Sequence, residues 1–385
     1  MSVVAATVGF RRWTPTERQA QSQDFALRLL AKSTGDYDKQ GGTEHATRTV
    51  TVHALGETDK RRDRCVLGRL QAIVGIELIH RRSFLSFLVG APALVALSGC
   101  EETTSIGRLE AVWKCKGVSP GHLNKPRAMA IDKNDLIYIV DITARIQVFT
   151  TEGQFLRGWQ TPVHDNGRPT GLGIDRHGNL LVADTHYFRV LIYSPAGELL
   201  ETLGGTLGAE PGEFGLVTSA LEDSQGNLYV SEYGEFDRIQ KFSPDRKFLL
   251  QWGGHGGEPG QFSRPQKMAI DPEDHIWVTD ACNHRIQVFD TEGRLISLWG
   301  THGSRPGQLA YPYDLALDGQ GHVYVTEFGN HRVQKFTLDG RALGCWGSHG
   351  RAPGELFNPW ALVRDSRGRI FVLDTGNHRV QRIVM

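Results

Sequence analysis

Histidines, carboxylates and arginines recur through the C-terminal part of this 385-residue chain at spacings that invite a chemical reading. His255, His302 and His349 each close a Trp-Gly-x-His segment that begins at Trp252, Trp299 and Trp346. His284, His331 and His378 each stand between an Asn and an Arg. Neutral imidazole is the commonest metal ligand, so two sets of three raise the question of a metal centre. The spacing answers it. Members of a set are 47 residues apart, and residues at one place in successive repeats lie around a ring or along a stack, not at a point. These histidines are therefore read as turn residues, and no metal ligand is assigned among them.

Six acid–arginine pairs carry the same regularity: Asp141/Arg145, Asp184/Arg189, Glu232/Arg238, Asp280/Arg285, Glu327/Arg332 and Asp374/Arg379. A carboxylate and a guanidinium this close in sequence form charge-assisted bonds that fix a loop. Six copies are too many for one active site, so the pairs are expected to be staples. The five cysteines (Cys65, Cys100, Cys115, Cys282 and Cys345) contain no Cys-x-x-Cys spacing, which excludes a zinc module of the RING type.

The elements that carry these residues follow from the repeat. In the unit around residue 280 four apolar runs, Lys267–Asp271, His275–Thr279, Arg285–Asp290 and Leu295–Trp299, are separated by Asp-Pro-Glu-Asp and Thr-Glu-Gly turns. Four short strands in a unit of this length make a propeller blade. Six units fit between residues 108 and 385. The last unit stops after its third strand, whereas Leu109–Trp113 has the pattern of a fourth strand with no unit before it. The sequence thus predicts an all-β, six-bladed β-propeller of four-stranded blades, closed by the N-terminal strand completing the last blade. Closure of this kind removes an exposed sheet edge.

Asn283-His284-Arg285-Ile286-Gln287-Val288-Phe289, Asn330-His331-Arg332-Val333-Gln334-Lys335-Phe336 and Asn377-His378-Arg379-Val380-Gln381 resemble the signature of NHL-repeat propellers, and the resemblance covers essentially all of 108–385. Within that family, amidating lyases bind a catalytic metal through histidines at the start of the inner strands. The equivalent positions here are Arg127, Thr170, Thr218, Gln266, Tyr313 and Trp360; the absence of His argues against such a lyase. NHL propellers of tripartite-motif ubiquitin ligases accompany a RING domain, and no RING is found here.

Those six positions, with their neighbours Lys267 and Asp314, are the predicted ligand site. They sit beside a central channel, and they differ from blade to blade where a structural position would be uniform. Convergent polar and aromatic groups are what a ligand site needs. No catalytic residue and no cofactor is assigned, with a Ca or Zn ion at the channel mouth left open. The favoured function is a protein, peptide or glycan binding scaffold; the alternative is a propeller hydrolase or lyase of a small molecule such as a lactone. Replacing Tyr313 and Trp360 by Ala is expected to abolish partner capture with little change in thermal stability.

The first hundred residues are of another kind. They hold 14 Lys and Arg against 9 Asp and Glu, net +5, whereas residues 101–385 hold 29 against 34, net −5. A net-negative body disfavours nucleic acid, since phosphate contacts need a basic face. Arg81-Arg82, the apolar run Leu88–Leu97 and Leu97-Ser98-Gly99-Cys100 resemble a twin-arginine export signal ending in a lipobox; the apolar run is shorter than the ~20 residues of a membrane span. The reading that follows divides the chain into 1–78, unstructured or outside the mature protein through an upstream mis-start; 79–99, signal peptide; 100–107, a linker lipidated at Cys100; and 108–385, the propeller. It implies an exported, monomeric, membrane-anchored lipoprotein of the bacterial cell envelope facing the periplasm, with a protein or peptide partner there.

Overall fold

The computed structural model describes residues 106–114 and 116–385. The signal segment and Cys100 lie outside that range, as does Cys115. The described residues fold into six four-stranded antiparallel sheets, each built from strands consecutive in sequence except one. The exception is the last blade, where Arg108–Lys114 is hydrogen-bonded to Arg379–Val384, with Arg108 opposite Val384 and Trp113 opposite Val380. The first described strand therefore supplies the outer strand of the final blade, as the repeat pattern predicts. In the unit around residue 280 the inner strand begins at Pro265, two residues earlier than the apolar pattern suggests.

Burial follows radial position within a blade. The second strands, such as Ile137–Asp141, Ile276–Asp280 and Ile370–Asp374, are buried at every residue. Each is flanked by a blade on both faces, so the alternation of a one-sided sheet disappears. The outer strands alternate half-buried and exposed, as in Phe155–Gln160 and Phe248–Gly253. The core is divided among the blade interfaces. Tyr138, Val140 and Val148 of the first blade pack with Leu180, Val182 and Leu191 of the second. The same arrangement closes the ring where Phe371 and Leu373 meet Ile137 and Ile139. Turn glycines seat the outer-strand tryptophan of the preceding blade: a Cβ on Gly293 (φ +75°) would lie 2.7 Å from Trp252, and one on Gly340 (φ +87°) 2.5 Å from Trp299.

All six acid–arginine pairs form as read. In the fourth blade Arg285 Nε donates to Asp280 at 2.7 Å, while its terminal nitrogens donate to the carbonyls of Gly257, Glu258 and Gln261. The other carboxylate oxygen of Asp280 accepts the Ser263 N–H at 2.7 Å. In every blade but the second the pair thus ties an inter-blade loop to its sheet; in the second, Arg189 bonds only Asp184. Removing one partner of such a buried pair leaves an uncompensated charge, worth about 3–5 kcal/mol.

The histidines also hold loops. His284, His331 and His378 are left-handed, with φ of 56°, 54° and 55°. Their Nδ1 atoms accept the backbone N–H of Tyr311, Asn358 and Lys125 respectively, each from the following blade. The contact from His378 to Lys125 crosses the seam between the last blade and the first.

Candidate functional site at the channel mouth

In five blades the entry loop leads into a proline or valine that pairs with the staple acid, and the next residue is displaced. The register slips at this point in five blades: between Pro126 and Ala128, Val217 and Ser219, Pro265 and Lys267, Pro312 and Asp314, and Pro359 and Ala361. Arg127, Thr218, Gln266, Tyr313 and Trp360 are therefore the extra residues of β-bulges, a device that re-aims a side chain out of the ladder. Thr170 stands just before the short inner strand Gly171–Ile174 of the second blade. All eight predicted residues line one concavity at the mouth of the channel.

Their exposure divides them. Arg127, Thr170, Lys267 and Trp360 are partly open to solvent, whereas Thr218, Gln266, Tyr313 and Asp314 are buried. Thr218 donates its hydroxyl to the Pro265 carbonyl at 2.6 Å and so joins the third blade to the fourth. Tyr313 stacks on Phe328 with centroids 4.6 Å apart and is only 7% exposed. This corrects one expectation: truncating Tyr313 to Ala removes packing as well as any ligand contact, and Tyr313→Phe is the variant that preserves the stack.

Lys267 closes the throat. Its Nζ reaches across from the fourth blade to donate to the Leu172 carbonyl of the second at 2.7 Å. Below lies a channel of about 360 Å³ lined largely by aliphatic residues of all six inner strands, including Met129, Ile174, Leu221 and Leu362. The concavity lined by all eight residues is itself only about 10 Å³, room for one water molecule. Asp314 accepts the N–H of Leu315 at 2.8 Å and of Leu362 at 3.3 Å. Desolvation raises its pKa from 3.8 to about 6, against the opposing charge of Lys267 and these two bonds.

Around the rim, arginines lie on aromatic rings. The Arg127 guanidinium sits 5.4 Å from the centre of Trp360, and that of Arg264 lies 4.9 Å from Tyr233 and 5.2 Å from Tyr313. Trp360 in turn meets Tyr313 edge-on at 5.1 Å and Phe328 at 5.9 Å. Arg264, Tyr233, Phe328 and Arg168 were not singled out from the sequence. Arg168 and Arg264 each directly precede an inter-blade proline, and that position could have been read as a second ring beside the first.

Elsewhere, Asp271, Glu273 and His275 bring ligand atoms within 4.8 Å of one another. The fold accounts for this group. The first Asp of the equivalent turn is bonded by Asn179, Asn227, His275, His322 and Arg369 in successive blades, so His275 fills a structural place.

With the geometry in hand, comparison with known proteins is informative. A family model described as NHL repeat matches residues 262–289, 309–336 and 358–383. These segments coincide with the staple loops and inner three strands of blades four to six. The chain belongs to the NHL-repeat propellers. It is 31% identical over 313 residues to peptidyl-glycine alpha-amidating monooxygenase of Mus musculus, a match covering 72% of this NHL-repeat chain and 31% of the relative. It is 30% identical over 176 residues to NHL repeat-containing protein 3 of Homo sapiens, covering 41% and 49%. The chain thus spans less than half the length of these curated relatives. Among solved structures, a streptogramin B lyase superposes with a TM-score of 0.52 at 11% identity, covering 71% of this chain and 97% of that one. An auxiliary nutrient binding protein from Bacteroides ovatus gives 0.55 at 15% identity, covering 71% and 76%. At such identities the likeness concerns the propeller fold alone.

Proposed function

We propose that this NHL propeller is a binding module that takes a protein or peptide partner at its channel mouth, and that it works as a lipid-anchored protein of the cell envelope. The observation that carries the binding reading is the set of bulges: in five blades they turn the one variable residue of the inner strand out of the ladder toward a common mouth. A scaffold needs no such device at a position that carries five different residues in the five bulged blades. The envelope address is supported by Arg81-Arg82 and by the small residues before Cys100.

A second reading as an enzyme draws on the names of one relative, an amidating monooxygenase, and one fold neighbour, a lyase. The six mouth positions carry no His, so chemistry here would need other groups. Of the carboxyl and amino groups within the throat, Asp314 is held by two backbone N–H groups and Lys267 by a carbonyl.

The test is capture from envelope extract by the full chain and its variants. Trp360→Ala, at a partly exposed site, should abolish capture while leaving the melting temperature within a few degrees of wild type. Tyr313→Phe should retain it. Capture that survives Trp360→Ala in a folded protein would place the binding surface elsewhere.

A further inference from the structure

The mouth carries an excess of hydrogen-bond donors over acceptors. Among the described residues, the Arg127 guanidinium has the face of Trp360 but no carboxylate or carbonyl acceptor, and Arg264 engages only its Nε, with Gln266 at 2.9 Å. Arg168 donates to the carbonyls of Ile142 and Gly167. Trp360 Nε1 also lacks an acceptor. Arg127 and Arg264 are joined through one aromatic cluster: Trp360, which carries Arg127, meets Tyr313, which carries Arg264, at 5.1 Å. The nearby carboxylates are committed elsewhere. Asp184 pairs with Arg189 through one oxygen, its other oxygen being buried without a partner; Asp237 takes His255 and the Arg264 backbone N–H; and Asp314, in the same concavity, takes the N–H groups of Leu315 and Leu362. Like charges held together in a partly desolvated place are unfavourable unless a counter-charge joins them.

The aromatic groups, meanwhile, are occupied. Trp360 carries Arg127 on its face and meets Tyr313 and Phe328 at their edges; Tyr313 stacks on Phe328 and carries Arg264. A sugar ring would need an open aromatic face, and here the rings serve as platforms that aim guanidinium groups. A guanidinium on a rigid platform presents a planar fork matched to a carboxylate.

We propose that the mouth recognises an acidic peptide segment, whose side-chain carboxylates seat between Arg127 and Arg264. This rests on the mouth being the binding surface and narrows its ligand from a protein, peptide or glycan to one chemistry. The concavity itself holds only about 10 Å³ and admits no side chain, so the segment lies across the rim. The local cluster stands on a body of net −5, so attraction is confined to the mouth and is weakened by salt.

Titration calorimetry of the full chain with three probes tests this: N-acetylated, C-amidated hexaglutamate, its hexaglutamine counterpart, and an oligogalacturonate of equal charge. Hexaglutamate should bind saturably at low salt, and hexaglutamine should not. Arg127→Gln and Arg264→Gln should each weaken binding by about tenfold or more, the loss of one charge-assisted contact, with Arg127→Lys intermediate and melting temperatures preserved. Equal binding of hexaglutamine, or undiminished binding by both Gln variants, would overturn the proposal. Oligogalacturonate binding as tightly as hexaglutamate would overturn the peptide assignment. If hexaglutamate fails while capture from extract still requires Trp360, the carboxylate inference falls and the mouth reading stands.

Discussion

Replacing Asp314 by Asn should stabilise the propeller at neutral pH, and the effect should vanish in acid. Asp314 is 3% exposed and titrates near 6 in the fold, against 3.8 for the free side chain. Between those values the folded chain holds a proton that the unfolded chain has lost. Rising pH therefore works against folding across this window, and above about pH 6 the penalty is constant. At about 1.4 kcal/mol per pH unit it amounts to about 3 kcal/mol. Asn retains an oxygen to accept the Leu315 N–H and gives up the longer bond to Leu362. That loss is independent of pH, whereas the attraction between ionised Asp314 and Lys267 is already contained in the pKa near 6. The pH-dependent part is therefore the diagnostic quantity. Thermal midpoints of wild type and Asp314→Asn, measured from pH 4 to 7.5, should diverge by roughly 6 °C in favour of the variant as pH rises, at about 2 °C per kcal/mol for a domain of this size. A constant gap, or one moving toward wild type with rising pH, would show that Lys267 outweighs desolvation and would refute the reasoning.

The histidine clips give a dependence at higher pH. Burial, and after it the neighbouring His349, lowers the pKa of His331 below 6.5, and its Nδ1 must be free of a proton to accept the Asn358 N–H. The unfolded chain therefore takes up the proton first, and wild type should lose stability as pH falls through about 6.5. His331→Asn, which tolerates the left-handed backbone, should lose less over this range by the share of one clip, His284 and His378 keeping theirs, while sitting about 1 kcal/mol lower at pH 8; parallel denaturation curves at pH 8 and pH 5.5 for the two proteins check both statements. Removing residues 1–114 strips the outer strand from the last blade and Trp113 from the interface with Phe149 and Phe371. The shortened protein should melt several degrees lower and self-associate through the exposed edge of Arg379–Val384, seen as a shift in size-exclusion elution; a monomer of unchanged melting temperature would contradict the closure.

The NHL-repeat architecture was legible because each blade repeats the same local problem. A 47-residue period, six acid–arginine pairs and an orphan strand at each end are one-dimensional patterns, and they determine blade number and the manner of closure. The eight mouth residues were legible for the same reason, as the variable place in an otherwise regular frame. What the sequence could not say is which of them face solvent. Thr218 and Gln266 occupy the same repeat position as Arg127 and Trp360, yet their neighbours across the blade interface bury them. Only the closed ring brings Lys267 to Leu172, 95 residues away, and so places a plug between mouth and channel. The pairing of guanidinium groups is likewise a product of the ring, since Arg127 of the first blade and Arg264 before the fourth are joined only through Trp360 of the sixth and Tyr313 of the fifth. A local repeat determines what each blade is; convergence across the axis, which depends on every interface at once, decides what the mouth can hold.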